Sequence, residues 1–138
     1  MTPRSSRSDK LLQLLADHQE ILLIVHDNPD PDAIASGWAL QSLIEQKLGK
    51  HVSLVGGGAV VRAENLKMLE LLQPPIVLVD SLTLDSESAA VLIDCSPTAS
   101  NHLLEGKNVK PVGVIDHHVI SGKRVRLPFR DIRPSVAA

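Results

Sequence analysis

Three apolar runs in this chain end in the same way, and that shared ending constrains the fold more than any other feature. "EILLIVH" at 20–26 runs straight into "DNPDPD". "AAVLIDCSP" at 89–97 turns polar at Asp94, and "PVGVIDHH" at 111–118 closes on Asp116, His117 and His118. Unbroken apolar runs of this length suit strands buried on both faces, as in a parallel sheet covered on each side. A second short strand, "HVSLVGG", fits residues 51–57.

The intervening segments read as helices. Residues 9–18 carry Leu11, Leu12, Leu14 and Leu15 at amphipathic spacing. Residues 31–50 open with Pro31 and are flanked by Asp30 and Asp32, which favour a positive helix end, and Gly49 ends them. "RAENLKMLELL" at 62–72 is a further helix, stopped by "QPP". "IVLVDSLTL" at 76–84 reads as an extended edge element. "KRVRLPFR" at 123–130 alternates, with Val125, Leu127 and Phe129 opposite Arg124, Arg126 and Arg130, and Pro128 places that strand at an edge. The expectation is a single α/β domain with a mostly parallel sheet flanked by helices. In such sheets ligands bind beyond the carboxyl ends of the strands.

Composition limits what can happen there. Aromatic residues make up 1% of the chain, Trp38 and Phe129 alone, so the core is aliphatic and bases have almost nothing to stack on. The net charge of −2 excludes a generally basic nucleic-acid coat. It is unevenly spread, with +4 on residues 121–138 and −6 on the rest. That basic stretch suits either an anionic ligand or a solvated strand face. A single cysteine, Cys95, allows no intrachain disulfide and fits a reducing compartment. No run approaches a membrane span and the N-terminus lacks a signal h-region, so a cytoplasmic location without membrane contact is expected.

"HDNPDPD" by itself is either a turn rich in Asx and Pro or a metal cup. It is not an EF-hand loop, which needs Gly at its sixth position and Glu at its twelfth. "VGGGAV" at 55–60 lacks both the Walker and the Rossmann glycine pattern, so a flexible strand exit is the plainer reading. His18, His51 and His102 are expected at the surface, and Cys95 is expected to pack. The three strand ends taken together are more telling. So many carboxylates converging on one sheet edge would repel unless cations lay among them. Mixed carboxylate and imidazole donors suit Mn²⁺, Zn²⁺ or Fe²⁺. A pair of such ions can activate a water and clamp a phosphoryl oxygen for in-line attack.

These motifs resemble the DHH phosphoesterase superfamily. The first, His-x-x-Pro-Asp-x-Asp-Ala, matches His26, Pro29, Asp30, Asp32 and Ala33; the second matches Asp94; the third matches Asp116, His117 and His118. The wording "DPDAIAS" is nearest the branch of nanoRNases and 3′-phosphoadenosine 5′-phosphate phosphatases, with a RecJ-like core. The resemblance implies two divalent ions, Mn²⁺ in particular. His26 and Asp30 would hold the first, Asp32 and His117 the second, and Asp94 would bridge them. Asp116 would orient a histidine and His118 would face the substrate phosphate.

The implied activity is hydrolysis of phosphoester bonds in short oligonucleotides or small phosphorylated nucleotides. Within the same superfamily the alternative is a pyrophosphatase or polyphosphatase. The family also has a fourth motif and a C-terminal DHHA1-type domain, and residues 1–138 match neither. Asp131, the acid downstream of the third motif, lies too near it to be the fourth. The chain is therefore expected to be the DHH portion of a larger enzyme, inactive alone or a silent metal- or nucleotide-binding unit.

Overall fold

The computed structural model describes residues 4–118 and 124–134. Its order is α1 (Arg7–Ala16), β1 (Glu20–Val25), α2 (Pro31–Leu48), β2 (Val52–Gly56), α3 (Ala63–Leu72), β3 (Ile76–Leu78), β4 (Ser88–Ile93), β5 (Gly113–Asp116) and β6 (Phe129–Ile132). All six strands are parallel and form one sheet in the order β3-β2-β1-β4-β5-β6. The sheet is thus wholly parallel, and the three helices flank it. Among the described residues no helix is long and apolar enough to cross a membrane.

Local chemistry explains the boundaries. Helix α1 begins two residues earlier than its leucine spacing suggests, because Ser6 caps it and Asp9 returns the bond to the Ser6 backbone. Asp30 caps α2 by accepting from the Ala33 N–H at 2.9 Å, Pro31 occupies the first turn, and Gly49 ends the helix in a left-handed conformation. Strands β1 and β4 are buried along five of their six residues, which accounts for their unbroken apolar sequence.

Two aliphatic layers cover the sheet. On one face Leu11, Leu15, Ala33 and Ile44 of α1 and α2 pack on Ile21, Leu23, Val25, Val91 and Ile93. On the other, Leu103 and Leu104 cover Leu22, Ile24, Leu92 and Val114, with Val79, Leu82 and Leu84 packed alongside. This second layer comes from connections between strands rather than from a long helix.

The C-terminal strand is shorter than its alternation implies. Val125 and Leu127 are half-buried while Arg124 and Arg126 are exposed, but the ladder with β5 begins only at Phe129. Pro128 has no N–H to offer a ladder, so pairing starts one residue later. Lys123 lies outside the described residues.

The strand order fixes where a site can form. Connections leave β1 toward β2 on one side, whereas β4 and β5 lie on the other, so the direction of winding reverses between β1 and β4. Helices and loops there cannot both pack over the same gap, and a crevice opens at the carboxyl ends of these two strands. His26 and Asp94 are the first residues beyond β1 and β4.

Candidate metal centre

At this crevice the three strand ends meet. His26 Nε2 lies 3.5 Å from Asp94 Oδ2 and 3.7 Å from Asp30 Oδ1. His117 Nε2 lies 2.8 Å from Asp94 Oδ1 and 3.3 Å from Asp32 Oδ2. His118 Nδ1 is 2.6 Å from Asp116 Oδ1 and 3.9 Å from Asp94 Oδ1. All seven residues singled out in the sequence, His26, Asp30, Asp32, Asp94, Asp116, His117 and His118, are therefore within one connected cluster.

Asp94 is its centre. It is 2% exposed and its φ is +59°, the left-handed region that L-residues enter at some cost. Backbone conformations of this kind store on the order of 1–3 kcal/mol and gather at functional sites. The turn aims the carboxylate so that one oxygen faces His26 and the other faces His117. Asp94 N–H donates to the Ile115 carbonyl at 2.9 Å, which ties the turn to β5.

The donor set fits a cation. Two donors each about 2.1 Å from one ion stand roughly 3.0–3.4 Å apart, and the central pairs here span 2.8–3.5 Å. Asp116 Oδ2 is a buried oxygen with no hydrogen-bond partner among the described residues, and Asp94 Oδ1, though 2.8 Å from His117 Nε2, receives no aligned hydrogen bond. A buried carboxylate oxygen left in that state is costly unless a positive charge faces it. Two groups could hold a metal ion: His26, Asp30 and Asp94, and Asp94, Asp116, His117 and His118. They share Asp94. The second group includes Asp116 and His118 beside Asp94 and His117, and Asp32 joins the cluster through its contact with His117.

Asp116 is built to hold the turn after β5. Its Oδ1 accepts from the backbone N–H of His117 at 2.8 Å and of His118 at 3.2 Å, and from His118 Nδ1. The bond to Nδ1 leaves Nε2 of the half-exposed His118 free to point outward. The two histidine rings sit 4.6 Å apart.

Without metal the cluster holds protons where a ligand set would not. The Asp94 carboxylate holds His26 protonated up to about 9, against the opposing effect of burial. Burial pushes Asp94 upward, but the bond from His26 and the charges of the surrounding imidazoles outweigh it and leave the acid below its usual range. Asp32 is shifted up by burial and by Asp94, and His118 is shifted up by Asp116. Burial pushes the Cys95 thiol up as well; the residue packs in the second apolar layer, as the sequence suggests.

Three residues carry more than their sequence context shows. Asn28 adopts φ +52° and accepts from the Ala59 N–H at 2.9 Å, while its own N–H donates to the Gly57 carbonyl at 3.0 Å. This clasp explains the glycines of "VGGG", which are a close fit and not a loose exit. A Cβ on Gly57 would strike the Asp27 carboxylate, and one on Gly58, at φ +71°, would strike Asn28. His102, expected at the surface, is 5% exposed. Its Nδ1 accepts from the Leu104 N–H at 3.2 Å, within the connection whose leucines cover the sheet. The adjoining "LL" was the signal for that burial. Asn65 is 8% exposed, the most buried residue of the largely exposed helix α3.

The basic stretch is partly neutralised. Arg133 grips Asp131 through two bonds of 2.7 and 3.0 Å, Arg7 lies 3.4 Å from the same carboxylate, and Arg130 donates to the Val125 carbonyl at 3.1 Å.

No protein-family model matches the chain. Over 118 residues it is 35% identical to the uncharacterized protein MJ1633 of Methanocaldococcus jannaschii, an alignment that covers 86% of this chain and 23% of that protein. The chain thus spans less than a quarter of that relative's length.

Proposed function

We propose that this domain is a DHH-type, metal-dependent phosphoesterase core acting on short oligonucleotides or small phosphorylated nucleotides. The observation that carries the reading is Asp94: a buried acid in a left-handed turn at the switch point, with one oxygen toward His26 and the other toward His117. A carboxylate held between two donor groups is what a pair of ions needs as a bridge. The mixed nitrogen and oxygen donors favour Mn²⁺ over Mg²⁺ or Ca²⁺.

When bound, two divalent ions supply an activated water and neutralise charge on the phosphoryl group. The chain's own residues do the positioning. His26 and Asp30 would hold one ion and His117 and Asp32 the other, while Asp116 fixes the His118 ring through Nδ1. Asp116 accepts from Nδ1 and favours the charged ring, and in that imidazolium form Nε2–H would donate to a phosphate oxygen. Cys95 is too buried and too high in pKa to act as a nucleophile.

A second reading, a metal-binding unit without turnover, is favoured by Asp131, whose carboxylate is engaged by Arg133 and Arg7. The two readings separate in a hydrolysis assay with Mn²⁺ on a dinucleotide, a nucleoside 3′,5′-bisphosphate and pyrophosphate. The phosphoesterase reading expects little release by residues 1–138 alone, and in a longer chain carrying a DHHA1-type domain metal-dependent release that Asp94→Ala and His117→Ala abolish without unfolding the protein. Turnover unaffected by Asp94→Ala would sink it. Tight Mn²⁺ binding with no turnover, also in a longer chain carrying a DHHA1-type domain, would establish the second reading. Cleavage of pyrophosphate alone would move the activity to the pyrophosphatase branch.

A further inference from the structure

The connection from β4 to β5 lies as a strap of turns over the second apolar layer, where Leu103 and Leu104 cover Leu22, Ile24, Leu92 and Val114. It also holds the turn after β1. The Asn101 carbonyl accepts from the Asp27 N–H at 2.7 Å, one residue beyond His26. His102 sits between these two contacts and is 5% exposed. The metal centre makes no use of it.

The two ring nitrogens of His102 have fixed roles. Nδ1 accepts from the Leu104 N–H at 3.2 Å, so the neutral ring bears its proton on Nε2. Nε2 is itself buried and has no aligned partner among the described residues, although the carbonyls of Ser96 and Pro97 face the ring. A second proton can therefore enter only at Nδ1, where it would meet a backbone N–H, donor against donor. The imidazolium and the Leu104 bond exclude one another. Burial works in the same direction and holds the ring below the usual histidine range, against the pull of Asp27 from the turn after β1 and of Glu105 from the strap. Asp80, after β3, and Lys107 of the strap line the same cavity of about 480 Å³, one of each sign.

We propose that the strap is an acid-sensitive latch: a proton on His102 breaks the Leu104 turn, lifts the leucine cover and frees the turn that carries His26. The latch stands on the strap's own bonds, while its hold on a metal ligand rests on the metal-centre reading of His26. The direction follows from the two states. An opened, hydrated imidazole takes its proton near 6.5, and the closed one only at lower pH. Opening is therefore indifferent to pH well above 6.5 and grows as pH falls below it.

Native-state amide exchange of the 138-residue chain in chelator tests this, read as protection factors so that the intrinsic pH dependence drops out. Between pH 7 and 5.5 the protection of the Leu104 and Asp27 amides should fall together by about tenfold. At each pH it should lie below that of Leu23 and Val91 in the core strands. His102→Asn keeps an acceptor for the N–H two residues on and takes no proton in this range, so it should remove the fall at both amides. A fall of the same size in His102→Asn overturns the latch. So does protection at Asp27 equal to that of the core strands, which would mean opening only by unfolding of the whole chain. The wild-type ring gives a reading that needs no variant: its nitrogen shifts should show Nε2–H at pH 7 and protonation below 6.5. An Nδ1–H tautomer, or ring protonation with Leu104 protection unchanged, overturns the latch. If both amides behave as expected and Mn²⁺ does not bind, the metal reading falls and the latch stands.

Discussion

Replacing Asp94 with Asn should flatten the pH dependence of the metal-free fold. In the wild type Asp94 raises His26 from 6.5 to about 9. At about 1.4 kcal/mol per pH unit, that shift corresponds to roughly 3 kcal/mol of stability. The sign follows from the direction of the shift. The unfolded imidazole loses its proton near 6.5, so the contribution is complete below that pH. It fades as pH rises and is gone above about 9. His26 is mostly buried and Asp94 almost wholly so, which keeps solvent screening small. Asn tolerates the left-handed backbone at this position, so the substitution removes charge and spares the turn. The assay is urea unfolding in chelator at intervals between pH 6 and 9.5. Wild type should lose about 3 kcal/mol across that window beyond whatever Asp94→Asn loses. His118 and Cys95 contribute slopes of their own, and Asp94 adds only a minor part to each, so the difference between the two proteins reads mainly His26. Equal slopes in the two proteins would show that His26 and Asp94 are not coupled.

The same proton predicts an exchange on metal uptake. Because His26 must be neutral to ligate, binding of Mn²⁺ at pH 7 should release close to one proton from it, seen as a calorimetric enthalpy that varies with the buffer's ionisation heat; buffer-independent enthalpy would contradict this. Asp32→Asn should stabilise the metal-free chain by less than about 1 kcal/mol, since it relieves an acid held up by burial and by Asp94 yet is partly solvent-screened; a lower melting temperature in chelator would count against it. Gly58→Ala should cost about 1–3 kcal/mol by strain at positive φ and contact with Asn28, measured by denaturation, and a neutral result would dismiss the clasp.

The sheet was legible wherever an apolar run was long enough to be buried on both faces. Strands β1 and β4 are of that kind, and the Asp30–Pro31 start and Gly49 end of α2 are local signals that survive folding. The convergence of His26, Asp94 and Asp116 could be read because parallel strands place their ends on one side. What could not be read depends on distant partners. The start of β6 is set by pairing with β5 and by a proline that cannot donate, so alternation overestimates the strand. His102 is polar in sequence and buried in the fold because the connection after β4 must supply an apolar lid in place of a helix. The glycines at 57 and 58 look flexible alone, and only the approach of Asp27 and Asn28 from β1 shows what they accommodate. The bonds by which Asp116 holds the turn of His117 and His118 depend on how the chain bends after β5, a geometry no spacing encodes.

The central claim is that the His and Asp side chains at these strand ends form a metal centre bridged by Asp94. Anomalous diffraction from crystals soaked in Mn²⁺ tests it most directly. Two peaks about 3.5–4 Å apart are expected, one against His26 and Asp30 and one against His117, with an Asp94 oxygen about 2.1 Å from each. No peak at this crevice, or peaks that leave Asp94 unligated, would contradict the account.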